Sequence, residues 1–429
     1  MKILKVNQSS KEVDRICARG VAPTEEIYAK VRNIMENVRN GGLSKAVEYA
    51  QKFDGLKGTD LRIGEKFLKE QAKRVNPTLV KALRTAIRNA TRFHRHELHA
   101  IGSFAFKGKD GEILGQRVRP MRRVGLYVPG GAAVYPSTVI MNAVPALVAG
   151  VEQIVVTTPA KGGIDPSVAF VLLELGIKEV YHIGGAQAIA FLAYGTKEIE
   201  PVDKIVGPGN VYAAIAKREV FGKVDIDMIA GPSEILVLAD SSSSPEYVAV
   251  DLLSQAEHGS GFEASICITD SMDLAKRISK AVDERVKVSP KRDLLEKVLE
   301  NFGRILVVEN WDDGVAVANR IAPEHLEIMT EDAEELSHRI VNAGAIFIGP
   351  WSSEPVGDYF AGPDHVLPTN GTARFSSPLG VYDFAKRTSI IYYTEKAVRK
   401  QARLIAEIAE TEGFFHHAQA VLERLDEEE

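Results

Sequence analysis

Residues 124–157 read VGLYVPGGAAVYPSTVIMNAVPALVAGVEQIVVT. Two short apolar runs, 124–128 and 153–157, stand at its ends, and the stretch 138–149 between them has the length and composition of a helix. Glycines at 130, 131 and 150 punctuate the joints. A strand, a crossover helix and a second strand make a parallel pair, because an antiparallel pair needs only a short turn. The same alternation continues outward. Further strands are expected at 179–183, 204–206, 235–239, 264–269, 304–308 and 345–348, with helices at 166–174 and 211–221 among them. The fold class is therefore α/β, with two parallel-sheet, Rossmann-like domains.

The first hundred residues read differently. Pro23 and Thr24 open a helical stretch over 25–53, with Ile27, Val31 and Ile34 at spacings of three and four, and a second stretch runs over 65–99. His94, His96 and His99 at its end suit a solvated helix terminus better than a metal site. After about residue 380 the sheet pattern fades. Thr394 caps a helix beginning at Glu395 that carries Val398, Ala402, Ile405 and Ile408 on one side. Gly413 breaks it, and 414–425 forms another. The division expected is an N-terminal segment 1–23, a discontinuous α/β domain from 24–123 with 236–380, an inserted α/β domain 124–235, and a helical tail 381–429.

A chain of 429 residues exceeds one ordinary core, which agrees with two domains. Its 45% hydrophobic and 26% charged residues are ordinary globular values, and the formal charge of −5 gives no reason to expect nucleic acid or an anionic membrane as partner. The acidic end 426–429 reads as solvated. Two isolated cysteines, Cys17 and Cys267, make no disulfide framework. The N-terminus turns polar after six residues, and no apolar run approaches the roughly 18 residues of a membrane span. A cytoplasmic location follows as the expectation.

Three glycine-rich turns follow expected strands: GLYVPGG at 125–131, GGAQA at 184–188 and GPGN at 207–210. Glycine lets a backbone approach a phosphate, and a following helix offers unpaired N–H groups. None is the G-x-G-x-x-G fingerprint, so the choice lies between plain turns and an unconventional nucleotide site.

Four polar constellations remain. AGPSE at 230–234 precedes a strand, and Ser244 with Pro245 then opens a helix whose last turn presents Gln255 and His258 on one face, with Asp251 a turn below. That pair could hold a metal or simply end a polar helix, and glutamine is not a usual zinc ligand. Ala322-Pro323-Glu324-His325 places a carboxylate and an imidazole side by side, an acid and a base at one point or an exposed helix entrance. Gly357-Asp358-Tyr359 and His365 in DHVLPTNG (364–371) lie on a long polar loop. Glu412-Gly413-Phe414-Phe415-His416-His417 is a helix break with two histidines.

Taken in order, IDMIAGPSEILVLAD…LLSQAEHG (226–259), GLYVPGG, GGAQAIA, VDKIVGPGN, IAPEHLE, GDY and DHVLPTNG closely resemble the histidinol dehydrogenase family, over about residues 20–425. The resemblance implies an aldehyde-dehydrogenase-like fold and a homodimer that oxidises L-histidinol to L-histidine with two NAD and one zinc per subunit. By the family's motifs, zinc ligands map to Gln255, His258, Asp358 and His417. His325 maps to the general base and Glu324 to the group that activates water. Substrate contacts map to Ser233, His365 and Glu412 beside the ligands and His325, and NAD contacts to Tyr127, Gln187 and Asn210. In the family the tail completes the site of the partner subunit. The five-residue spacing from Glu412 selects His417 over His416. Asp364 stands where the family usually has asparagine, and its side chain is expected to point elsewhere than His365 on an extended loop. Neither cysteine sits in a motif for a thiohemiacetal nucleophile. Two other readings stay open: a related enzyme for another amino alcohol, and a binding protein without catalysis, which would be expected to lack Glu324 or His325.

Overall fold

The computed structural model describes residues 1–20, 23–130 and 134–425. Gly131 of the first glycine turn and the acidic end 426–429 lie outside the described residues. In chain order the strands are β1 Lys2–Lys5, β2 Phe104–Lys107, β3 Ile113–Pro120, β4 Arg123–Tyr127, β5 Gln153–Thr158, β6 Glu179–His182 and β7 Lys204–Val206. There follow β8 Asp225–Ile226, β9 Glu234–Leu238, β10 Ala264–Thr269, β11 Gly303–Val307, β12 His325–Ile328, β13 Ala345–Ile348 and β14 Ala385–Tyr392.

The contacts divide the chain into two compact units. The larger holds Met1–His96 and Met121–Phe384, and the smaller holds Glu97–Pro120 and the chain from Ala385 onward. Within the larger unit lie two parallel sheets, ordered β6-β5-β4-β7-β8 and β1-β11-β10-β9-β12-β13. The smaller unit has its own antiparallel sheet, β14-β3-β2, and the helices Glu395–Thr411 and Phe415–Leu422.

Both parallel sheets are buried on two faces, which is why their strands read as continuous apolar runs. In the first, Val124, Leu126, Ile154 and Val156 pack toward the helices Pro136–Ala149 and Pro166–Glu174. Val155, Tyr181 and Ile205 face the other way, toward Gly185–Tyr194 and Val211–Val220. The second sheet repeats the scheme, with Ile235 and Val237 on one face and Leu236 and Leu238 on the other.

Several expectations need correction. The helical region 24–100 does not pack with the sheet of β9–β13. Val31, Met35 and Val38 join one face of the β4–β8 sheet, and Leu83, Ala86 and Ala90 join the other. The N-terminal segment is part of the second sheet, since β1 pairs with β11. The stretch 65–99 is two helices, Glu65–Ala72 and Pro77–Ala100. Pro77 starts the second, and Asn76 Oδ1 accepts the N–H of Leu79 at 2.8 Å. The tail is not wholly helical, because β14 pairs antiparallel with β3 over Ala385–Tyr392. That strand is mostly exposed, so burial left no alternation to read. His94 is fully buried, whereas His96 and His99 are exposed. Among the described residues no helix is long and apolar enough to cross a membrane.

Candidate active site

The residues expected to meet a nucleotide converge at the carboxyl ends of the first sheet. Its order runs from β4 to β5 and β6 on one side and to β7 and β8 on the other, so the switch of direction falls between β4 and β7. Ligands of open α/β sheets bind in the crevice at such a point. Tyr127 ends β4, Asn210 follows β7, and Gln187 lies in the first turn of the helix after β6. All three line one cavity of about 990 Å³, together with Asp54, Pro159 and Gly185.

Each is held by a defined contact. The Tyr127 hydroxyl accepts the N–H of Gly185 at 3.1 Å, and burial pushes its pKa up to about 12, so it stays protonated. Gln187 donates to Asp54 Oδ2 at 3.1 Å. Asn210 Oδ1 caps the helix Val211–Val220 by accepting from Tyr212 and Ala213, at 3.0 and 3.2 Å. Gly207 is required here: its φ is +113°, and a Cβ would collide with the carbonyl of Tyr127.

Three of the four polar constellations gather at the amino ends of the second sheet. Ser233 precedes β9, and His325 opens β12, which lies beside it. The chain reaches β12 through Ala322, which is left-handed with φ 46° although it precedes a proline. Such a conformation is sparsely populated for a residue with a Cβ, and it concentrates at functional sites. It brings Pro323 and Glu324 inward, leaving Glu324 7% and His325 2% exposed.

His325 is fixed at both nitrogens. Nδ1 donates to the carbonyl of Glu234 at 2.9 Å, so in the neutral ring Nε2 carries the lone pair and faces Asp358 Oδ1 at 3.3 Å. Burial alone would lower its pKa, but the carboxylates of Glu324 and Asp358 beside it push it up to about 10. Burial pushes Glu324 up to about 8, against the pull of His325 and with Glu234 adding to the rise. Asp358 shows the converse: burial would raise it, yet the hydrogen bond and charge of His325 hold it below the usual carboxylate range.

Ser233 Oγ lies 2.8 Å from His258 Nδ1. The helix carrying Gln255 ends at Ala256, so His258 sits just past its end rather than in the last turn. Burial of its inner side lowers the imidazole pKa, and the charge of Asp358 opposes the effect. His365 donates Nδ1–H to the carbonyl of Asp358 at 3.0 Å, joining the two polar loop positions.

Gln255 tests whether a cation fits. It is fully buried, and neither amide atom has a hydrogen-bond partner among the described residues. It lies near enough to Glu354 to draw that carboxyl's pKa down somewhat, against the stronger upward push of burial, without reaching hydrogen-bond geometry. An unpaired buried amide costs about 1–3 kcal/mol, which coordination of Oε1 to a metal would relieve. Among the described residues, the His, Asp and Glu side chains that come within metal-ligating reach of one another form a different grouping. Ligand atoms of His325, Glu354 and Asp358 lie within 4.8 Å of one another, sharing only Asp358 with the expected set.

The chain matches the model of the family described as histidinol dehydrogenase over residues 17–425. The histidinol dehydrogenase of Bacillus licheniformis is 49% identical over 410 residues, covering 95% of this chain and 96% of that one. That of Bacillus subtilis is 50% identical over 402 residues, 93% of each. This chain belongs to the histidinol dehydrogenase family. The crystal structure of histidinol dehydrogenase from Elizabethkingia anophelis superposes with a TM-score of 0.93 at 34% identity, covering 99% of this chain and 98% of that one.

The remaining residues expected from the histidinol dehydrogenase motifs are placed as follows. Glu412 and His417 belong to the smaller unit, both exposed, at the end of one tail helix and within the next. Asp364, the departure from the family motif, is buried: Oδ1 accepts the N–H of Val366 at 2.7 Å and Oδ2 lies 3.9 Å from His94 Nε2. Cys267 is fully buried in β10, and burial pushes its thiol up to about 12. Sequence reasoning passed over Glu234 and Asp54, buried carboxylates in contact with expected site residues, and Arg19, buried against Glu234. For Glu234 a signal existed, since it is the final residue of AGPSE.

Proposed function

We propose that this oxidoreductase carries L-histidinol to L-histidine through bound histidinal, using water and two NAD, with one zinc per subunit and in the cytoplasm. The observation that carries the reading is His325, with Nδ1 tied to a backbone carbonyl and Nε2 directed at the carboxylate of Asp358, whose upward push on the imidazole a cation held by Asp358 would lessen, beside the buried carboxyl of Glu324. Gln255, His258, Asp358 and His417 would hold the zinc, which would supply orientation of the substrate, and NAD would supply the hydride-accepting chemistry.

In the first oxidation His325 Nε2 takes the hydroxyl proton as the carbinol carbon loses hydride. Asp358 stabilises the imidazolium so formed, being its hydrogen-bond partner. In the second, Glu324 removes a proton from water as it adds to the aldehyde, and the hydrated carbon loses the second hydride. A carboxyl raised by burial is a stronger base when ionised, which suits that task. Ser233, Glu412 and His365 hold the substrate, and Tyr127, Gln187 and Asn210 hold NAD across the β4/β7 crevice. A binding protein without catalysis has no need for the Glu324–His325 pair.

Purified protein forms two NADH per histidinol consumed, with no histidinal captured by a carbonyl-trapping reagent. A ratio of one, with aldehyde trapped, overturns the two-step reading.

The family resemblance further implies a homodimer in which Glu412 and His417 serve the site of the partner. Mixing inactive His258→Ala with inactive His417→Ala protein then restores part of the activity after subunit exchange. One site of the heterodimer collects both lesions and the other is intact. Heterodimers confirmed by mass that remain inactive would show that the tail serves its own subunit.

A further inference from the structure

A buried ion pair lies between the N-terminal arm and the start of β9, and the reaction proposed above does not use it. Arg19, 4% exposed, meets Glu234 with a forked pair of hydrogen bonds, Nε to Oε1 and Nη2 to Oε2, both 2.6 Å. Its other donors reach the carbonyls of Ile16 and Ile321, each at 3.1 Å. Glu234 is 2% exposed, and its Oε1 also accepts the N–H of Asn370 at 2.8 Å.

Glu234 in turn touches both residues of the proposed acid–base pair. Its N–H donates to Glu324 Oε2 at 2.9 Å, and its Oε2 accepts the N–H of Glu324 at 3.3 Å. Its carbonyl accepts from His325 Nδ1. Two buried carboxylates this close disfavour each other's ionisation, and the guanidinium is what compensates the first of them. A bidentate arginine also fixes orientation, which a point charge does not.

We propose that Arg19 is a positioning residue: acting through Glu234, it holds the Glu324 carboxyl where it can activate water in the second oxidation. The inference rests on the roles proposed above for Glu324 and His325. The fork from Arg19 fixes the Glu234 side chain, and the two hydrogen bonds between Glu234 and Glu324 pass that constraint to Glu324. Without the guanidinium, Glu234 loses its fork and Glu324 its fixed place.

The test measures NADH formation from supplied histidinal and from histidinol, for the zinc-loaded wild type, Arg19→Met and Arg19→Lys. Expected for Arg19→Met is a loss of about tenfold or more on histidinal, in kcat rather than KM, with a smaller loss on histidinol. Arg19→Lys recovers most of the loss. No loss on histidinal, a loss carried by KM, or equal losses on both substrates overturns the proposal. Should Arg19→Met not fold, Glu234→Gln carries the test, because it breaks the fork from the other side. The same selective loss on histidinal is expected, and its absence overturns the proposal. The infrared band of the Glu324 carboxyl group, assigned with Glu324→Gln, changes frequency in the variant and reads the lost constraint without turnover, and an unchanged band overturns the proposal. A wild type inactive on histidinol would thus sink the proposed function, while the infrared band still decides the role of Arg19.

Discussion

Replacing His325 by asparagine slows the oxidation of histidinol by roughly 10²–10⁴-fold, the range expected when a general base is lost. The reason is geometric. With Nδ1 committed to the carbonyl of Glu234, Nε2 is the ring's remaining proton acceptor, and asparagine offers an amide in its place. Glu324 is not an equivalent substitute, since its Oε2 already accepts the N–H of Glu234 at 2.9 Å. Glu324→Gln has the complementary effect, a loss of similar size on supplied histidinal with a smaller one on histidinol. The measurement is NADH formation from each substrate with each variant. Equal, small losses of both variants on both substrates remove the division of labour between the two residues.

Substituting His258 or Asp358 by alanine strips zinc from the protein and abolishes turnover. Loss of a direct ligand weakens metal binding by more than the roughly 10–100-fold that removal of a ligand's outer hydrogen-bond partner costs. Zinc per subunit is counted by elemental analysis of purified protein. Glu354→Gln distinguishes the two groupings that contain Asp358. If the ion is held by Gln255, His258 and Asp358, this variant keeps its zinc while His258→Ala does not. Zinc lost with Glu354→Gln and kept with His258→Ala would place the ion on His325, Glu354 and Asp358.

The polarity of the site itself hid part of the fold. Strand β12 is HLEI, and its two polar residues break the apolar run that marked the other central strands. Yet Glu327 is 1% exposed and its Oε1 accepts the N–H of Glu354 at 2.7 Å. A buried polar strand becomes legible once its partners are known, because burial of a charge needs them. The same holds for Asp364, whose side chain lies in the interior near His94 rather than on an open loop.

By itself the sequence determined what short-range chemistry decides. Runs such as QIVVTT and ASICIT are buried strands because their β-branched residues have no polar alternative. Ser244 with Pro245, Asn210 and Thr394 begin helices because their side-chain oxygens accept N–H groups two or three residues on. The motifs supplied the residues proposed for the site. Tertiary structure alone decided what those residues do to one another. Arg19 and Glu234 lie 215 residues apart, and Glu234 and Glu324 lie 90 apart. Ala322 takes a left-handed turn before a proline that local preference disfavours, and Gln255 keeps a buried amide unpaired. No local rule selects either arrangement. The Ala322 turn is held from outside, by Arg19 donating to the carbonyl of Ile321 and by the pairing of β12 with β9.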